Sequence, residues 1–285
     1  MSEEHQQAVC NACGNGHVEP ITLPPGNQGQ RCRTCGLIWA GLQEVSREVY
    51  ESAYDDSHKG FKWKGRLKLH REAKAGRDSP LPWFQRAFLR TVRPAGNKRI
   101  LDIGCSTGHF MVACSQTGWH VAGLDISCRA VDLAKQIVPN AEFHCGRLSD
   151  APWPENTFQA VTIWEVIEHV SDPLAMVTRA GELLTPGGIL AISTPDWGCW
   201  AVRSHTAPNY WPPYHVWFFS GPSLQALLER AGLEVTSLRR NPFAWSETLW
   251  PKLKRYVALP WLLWRGVVRG EGGGRLAIMS RKPAA

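Results

Sequence analysis

No apolar run in this 285-residue chain reaches the roughly 20 residues that a bilayer-crossing helix needs, so no segment reads as a membrane span. No internal repeat is visible, which argues against solenoids and propellers. The opening Met1-Ser2-Glu3-Glu4-His5-Gln6-Gln7 is polar and acidic and lacks the profile of a secretory leader. The nine cysteines are therefore expected in a reducing, cytoplasmic compartment, as thiols or metal ligands and not as disulfides. Acids are outnumbered, 25 against 32 Lys and Arg, and the net charge of +7 suits an anionic partner. Charge alone does not choose between nucleic acid, an acidic lipid surface and a phosphorylated substrate. Apolar residues make up 44% of the chain, enough for a sizeable core, and the 14 tryptophans and 20 prolines gather late in it.

The organising stretch is Lys98-Arg99-Ile100-Leu101-Asp102-Ile103-Gly104-Cys105-Ser106-Thr107-Gly108-His109-Phe110. A branched, apolar run ends in a glycine-bearing turn, and a helical pattern follows at once, which predicts a buried parallel strand, a tight loop and a helix N-terminus. Gly104 and Gly108 can take positive φ and carry no Cβ, so a ligand can come close to the backbone, facing loop amides and the helix dipole. A second strand, Trp119 to Asp125, ends on a carboxylate 17 residues after Gly108, where nucleotide-binding α/β folds hold ribose hydroxyls. Ser127 is placed to cap the next helix, through about Ile137. Further strands are expected at Ala141–Cys145, Phe158–Trp164, Ile189–Thr194, about 232–238 and Arg275–Ser280. Helices are expected from Pro173 to about Leu184 and from Ser223 to Ala231, with a turn at Thr185-Pro186-Gly187-Gly188.

Asp102-x-Gly104-x-Ser106-x-Gly108 followed by Asp125 resembles the cofactor site of class I S-adenosylmethionine-dependent methyltransferases, and does not fit the G-x-G-x-x-G spacing of dehydrogenases. Leu184-Thr185-Pro186-Gly187-Gly188-Ile189-Leu190 is a second block similar to that family. The resemblance covers about residues 98–240. It implies a doubly wound, mostly parallel, Rossmann-like sheet of seven strands, the last inserted antiparallel. It also implies that Asp102 lies near the methionine ammonium, that Gly104, Ser106 and Gly108 underlie methionine and ribose, and that Asp125 takes the ribose diol. Ile126, Arg147, Leu148 and Trp164 complete the implied cofactor site. Ser106 stands where the family has a glycine, and Arg147 where it often has an acid that bonds the adenine amine.

In front of this domain, Cys10-x-x-Cys13-Gly14 and Cys32-x-x-Cys35-Gly36 are separated by 18 residues, a zinc-ribbon spacing. Four thiolates make a closed tetrahedral site, hence a structural Zn2+. The expected organisation is a ribbon over 1–43, a basic helical linker or lid over 44–95, and the catalytic domain over 96–285 with an aromatic lid insertion at 195–220. In the linker, Lys59, Lys62, Lys64, Arg66, Lys68, Arg71 and Lys74 form either a solvated face or a surface for an anionic acceptor.

Glu165-Val166-Ile167-Glu168-His169 follows the fourth strand, at the sheet edge where ligands gather. Three readings stand. His169 is a general base oriented by Glu168 or Glu165; or Glu165, Glu168, His169 and the distant His215 bind Mg2+ or another divalent cation; or Glu168-His169 is a hydrogen-bonded structural turn. The E-x-x-E-H string is similar to that of ubiquinone-pathway O-methyltransferases and small-RNA 2′-O-methyltransferases, where it ligates metal. Trp197, Trp200, Tyr210, Trp211, Tyr214, Trp217, Phe218 and Phe219 suit planar or sugar acceptors, though many of them are expected to pack as core. The Trp250–Arg265 stretch mixes basic and apolar residues and either packs on the catalytic domain or lies peripherally on an anionic membrane. The leading expectation is O-methylation of a glycan, lipid-linked or small-molecule acceptor. The alternatives are RNA methylation and a non-catalytic cofactor-binding module whose ribbon recruits partners.

Overall fold

The computed structural model describes residues 9–41 except 25, then 68, 70–75, 81–94, 98–199, 203, 212, 214–240 and 274–284. The basic residues from Lys59 to Arg66, the aromatics Trp200, Tyr210 and Trp211, and the Trp250–Arg265 stretch lie outside the described residues.

Eleven strands are described: β1 (Val18–Leu23), β2 (Asn27–Cys32), β3 (Ile38–Ala40), β4 (Arg99–Ile103), β5 (His120–Asp125), β6 (Glu142–Cys145), β7 (Phe158–Trp164), β8 (Leu184–Pro195), β9 (Trp217–Phe218), β10 (Glu234–Arg240) and β11 (Arg275–Arg281). The helices are α1 (Trp83–Thr91), α2 (His109–Gln116), α3 (Cys128–Lys135), α4 (Pro173–Leu183) and α5 (Gly221–Arg230). They form a seven-stranded sheet in the order β10-β11-β8-β7-β4-β5-β6 and a four-stranded sheet in the order β1-β2-β3-β9. The larger is the mostly parallel, Rossmann-like sheet expected. None of the described helices is long and apolar enough to cross a membrane.

The chain divides into two compact units, one of Val45–Val166, Thr178–Ile192 and Ser280–Ala285, the other of Met1–Glu44, Ile167–Val177 and Ser193–Met279. In the first, β4 runs parallel to both β5 and β7, and β5 parallel to β6. Phe158, Ala160, Val161 and Ile163 of β7 are fully buried, as are Ile100, Leu101 and Ile103 of β4 to within 1%. Continuous apolar runs suit strands covered on both faces, and each large side chain so buried contributes about 1.5–3 kcal/mol. The chain order reverses beside β4, which makes its carboxyl end a topological switch point, the usual place for a ligand crevice. Ser127 caps α3 as expected, its side chain accepting from Ala130 N at 3.2 Å.

The Thr185–Gly188 block is not a free turn. It forms the start of β8, with Gly187 at φ +75. Gly187 N donates to Lys282 O at 3.0 Å and Lys282 N to Gly188 O at 2.9 Å. These reciprocal bonds pair the beginning of β8 with the end of β11, so the two run antiparallel and the segment's backbone groups are used by the sheet.

In the second unit, β1 and β2 form an antiparallel hairpin and β3 continues it. The fourth strand of this small sheet is β9, more than 170 residues away, with Ile38 opposite Phe218 and Trp39 opposite Trp217. Leu23, Ile38, Ala40, Cys199 and Phe218 form a buried cluster against which Ile21 and Trp197 pack. Trp197, Trp217, Phe218 and Phe219 of the expected lid are thus core, whereas Tyr214 is 45% exposed.

Candidate functional site

Asp102, on β4, is 4% exposed and accepts a 2.7 Å hydrogen bond from Thr162 Oγ1 of the neighbouring β7. Burial raises its pKa to about 7, with Asp125 adding repulsion and Thr162 acting the other way. After β4 the chain turns through Gly104 at φ +75, where a Cβ would run into Val166 Cγ2. Ser106, the residue that replaces the family glycine, adopts φ +51 and so keeps the left-handed turn.

The carboxylate of Asp125 faces this loop. Its Oδ2 accepts from Ser106 N at 2.8 Å and its Oδ1 from Ser127 N at 3.0 Å, in a side chain only 7% exposed. Gly108 plays a different part. It is the N-cap of α2, and a Cβ there would lie 3.0 Å from Ala134 Cβ, so its lack of a side chain lets α2 pack on α3. Of the remaining cofactor candidates, Ile126 is half-buried, Leu148 is 5% exposed and Arg147 is exposed. Trp164 ends β7, and its ring meets Phe84 and Phe88 of α1 and Phe110 of α2 at centroid distances of 5.4, 5.9 and 5.4 Å. The four-residue spacing of Phe84 and Phe88 sets both on one buried face of α1.

His109, directly after Gly108, was not singled out in the sequence. Among the described residues neither of its ring nitrogens has a hydrogen-bond partner, and burial lowers its pKa, which favours a neutral imidazole beside the loop.

In the second unit, Glu168, His169 and His215 bring one ligand atom each to within 4.8 Å of one another. Glu165 is not part of that group; it directly follows β7, at φ +56. Glu168 is 1% exposed and its Oε2 accepts from Thr194 Oγ1 at 3.0 Å. His169 Nδ1 donates to the carbonyl of Tyr214, which fixes the tautomer, and its Nε2 stands 3.9 Å from Glu168 Oε1. The His169 and His215 rings meet edge-on with centroids 4.7 Å apart. Three donors spaced this way fit a divalent ion, since ligands at about 2.1 Å from a common centre lie roughly 3–4.2 Å apart. The second nitrogen held by a backbone carbonyl is the usual support of a metal-binding histidine.

The distant pieces are held by the small sheet. Ala40 N, at the end of β3, donates to Val216 O at 2.9 Å, and Val216 N and Trp217 N both donate to Glu168 O, at 3.0 and 3.2 Å. Trp217 Nε1 adds a 2.7 Å bond to Val170 O. The ribbon thereby braces the backbone on which Glu168 and His215 stand.

The ribbon's own cluster is Cys10, Cys13, Cys32 and Cys35, all four sulfurs within 4.8 Å. Cys10 lies 3.6 Å from Cys35 and Cys13 3.5 Å from Cys32, close to the ~3.8 Å between sulfurs on a tetrahedral Zn2+. Each knuckle is closed by a glycine at positive φ, with Gly14 N donating to Cys10 O at 2.9 Å and Gly36 N to Cys32 O at 3.0 Å. The four residues fit a structural zinc. Arg230 Nη1 of α5 donates to the carbonyls of Cys10 and Asn11, both at 3.0 Å, and Asn11 Oδ1 accepts from Leu174 N at the start of α4 at 2.9 Å.

A sequence profile for the methyltransferase domain matches residues 73–238. The chain belongs to the class I S-adenosylmethionine-dependent methyltransferase family. A Mycolicibacterium smegmatis protein described as a probable S-adenosylmethionine-dependent methyltransferase is 28% identical over 156 residues, 54% of this chain and 60% of its own length. A ubiquinone biosynthesis O-methyltransferase of Cereibacter sphaeroides is 31% identical over 171 residues, 55% of this chain and 69% of its own. The chain thus spans about two thirds of the length of these relatives. Among solved structures, the [4+2]-cyclase SpnF superposes with a TM-score of 0.59 at 18% identity, covering 86% of this chain and 98% of that one. That similarity shows the fold alone, and one fold can carry more than one chemistry.

One expectation is overturned. Cys128 and Cys145 form a disulfide, their Cα atoms 5.1 Å apart. The expectation of thiols rested on compartment; the register that sets Cys145 of β6 opposite Asp125, three residues before Cys128, is a product of the fold.

Proposed function

We propose that this methyltransferase acts on a hydroxyl of a small-molecule, glycan or lipid-linked acceptor, with a divalent cation held by Glu168, His169 and His215. The observation that carries the reading is the convergence of one carboxylate oxygen and two imidazoles within 4.8 Å, with the His169 tautomer set by Tyr214. A base-only role suits the geometry less well, because Glu168 Oε1 stands 3.9 Å from His169 Nε2, beyond hydrogen-bond reach. The ubiquinone relative, whose name specifies O-methyl transfer, supports the same choice of atom.

S-adenosylmethionine supplies a methyl group on a positively charged sulfur, so the leaving group is already activated. A cation at Glu168, His169 and His215 would lower the pKa of an acceptor hydroxyl. The chain's own work is positioning and charge. Asp125 accepts the ribose hydroxyls, its carboxylate already oriented by the amides of Ser106 and Ser127. Asp102 pairs with the methionine ammonium.

The last role has a pH signature. Asp102 is raised to about 7 in the free protein, and it must be ionised to pair with a cation. Binding therefore releases a proton below pH 7. Affinity is expected to fall as pH drops below 7, at most about tenfold per unit, and to level off above it. Calorimetry in buffers of different ionisation enthalpy reads both the slope and the proton, and Asp102→Asn is expected to flatten the profile.

Labelled cofactor, incubated with the protein and with lipid, polysaccharide and RNA fractions, tests the acceptor class. Label is expected in lipid or polysaccharide; label in RNA alone would overturn the reading. Glu168→Gln is expected to lower kcat about a hundredfold while leaving cofactor affinity within twofold.

A further inference from the structure

The nine cysteines fall into three environments. Four form the ribbon cluster. Cys105, Cys114 and Cys199 are 4%, 1% and 1% exposed, and burial of this kind leaves a thiol inert. The remaining pair, Cys128 and Cys145, is half-buried, within reach of a reductant, and disulfide-bonded.

This bridge frames the acid read as the ribose ligand. Cys145 closes β6 in register with Asp125, and the residue after it, Gly146, donates its N–H to Asp125 O at 3.0 Å. Cys128 opens α3 immediately after Ser127, whose N–H holds Asp125 Oδ1 at 3.0 Å. The bridge thus ties the loop that orients the carboxylate, residues 125–128, to the loop that begins at Gly146 and leads to Leu148. Both loops must be ordered before a nucleoside can bind, and a covalent tie lowers the ordering cost of binding.

We propose that Cys128–Cys145 is a redox-modifiable site that sets the affinity for the nucleoside cofactor, tight when bridged and weaker when reduced by a dithiol. The inference rests on the reading of Asp125 as the ribose-binding acid. In the reducing direction, one thiolate of the dithiol attacks a bridge sulfur, the S–S bond breaks, and a mixed disulfide forms with release of one cysteine thiolate. The second thiol of the reductant then displaces the other cysteine. Two electrons and two protons pass to the protein, leaving two cysteine thiols and a cyclic disulfide of the reductant. A low-molecular-weight disulfide reverses the process.

The test uses the zinc-loaded full chain, equilibrated either with glutathione disulfide or with dithiothreitol. Alkylation mapped by mass spectrometry reports the thiols, zinc content is measured in both states, and calorimetry gives the Kd for S-adenosylhomocysteine. Cys128 and Cys145 are expected to alkylate only after reduction, with zinc content unchanged and Kd raised about five- to tenfold. The Cys128→Ser/Cys145→Ser protein is expected to bind with the weaker affinity under both conditions, which separates the bridge from any effect on the ribbon. Equal Kd in the two states, free alkylation of both thiols in the oxidised sample, or a double variant that still responds to reductant would overturn the proposal. No binding in either state would overturn the cofactor reading and this proposal with it, an outcome distinct from equal binding.

Discussion

Asp125→Ala is expected to weaken S-adenosylmethionine binding by about two orders of magnitude, with the fold retained. Two hydrogen bonds from a ribose diol to a largely buried carboxylate contribute about 1.5–3 kcal/mol each, so a loss of about 3 kcal/mol is a conservative sum. The substitution also releases the amides of Ser106 and Ser127, which the carboxylate holds at 2.8 and 3.0 Å. Part of the loss will therefore appear as loosening of the turn. Asp125→Asn separates the two effects, because the amide keeps an acceptor for one backbone N–H but lacks the charge. Calorimetry should place Asn between wild type and Ala. Circular dichroism should show the β4–β7 core intact, since its apolar packing does not involve this side chain.

The second large effect is expected from Cys13→Ser. Structural zinc in ribbon-type sites contributes about 10–16 kcal/mol of apparent binding free energy at neutral pH, and a three-thiolate site retains only part of it. The damage should spread beyond the hairpin. The first knuckle holds Arg230 through the Cys10 and Asn11 carbonyls and Leu174 N through the Asn11 side chain. At the other edge, β3 pairs with β9, and Ala40 N bonds Val216 O beside His215. Loss of metal is thus predicted to lower the melting temperature by about 10 °C or more and to reduce turnover as well, through the backbone bonds from Val216 and Trp217 to Glu168. Metal analysis and thermal unfolding check the first part, and methyl transfer the second. A variant that keeps one equivalent of zinc and unfolds with wild type would contradict it.

Local features were legible where a short stretch of chain sets its own geometry. Asp102, Gly104 and Ser106 lie on one strand and one turn, and the next strand ends on Asp125, so periodicity and turn chemistry sufficed. The two C-x-x-C-G knuckles needed only their spacing. What escaped depends on register between distant segments. Nothing in Ile38-Trp39-Ala40 signals that its partner is Trp217-Phe218. The E-x-x-E-H string left four ligand candidates open, and only the fold groups Glu168 and His169 with His215 without Glu165. Thr194, which donates to Glu168, carries no motif at all. The turn expected at Pro186-Gly187-Gly188 became strand because residues near 282 supply the partner groups, a long-range contact that local propensity does not see.

The most direct test of the whole account compares S-adenosylhomocysteine with its 2′,3′-dideoxyribose analogue, titrated against wild type and Asp125→Ala. The account predicts that removing the diol weakens binding to wild type about a hundredfold and leaves binding to the variant nearly unchanged, because the same two hydrogen bonds are lost either way. Equal affinity of wild type for the two nucleosides would contradict it.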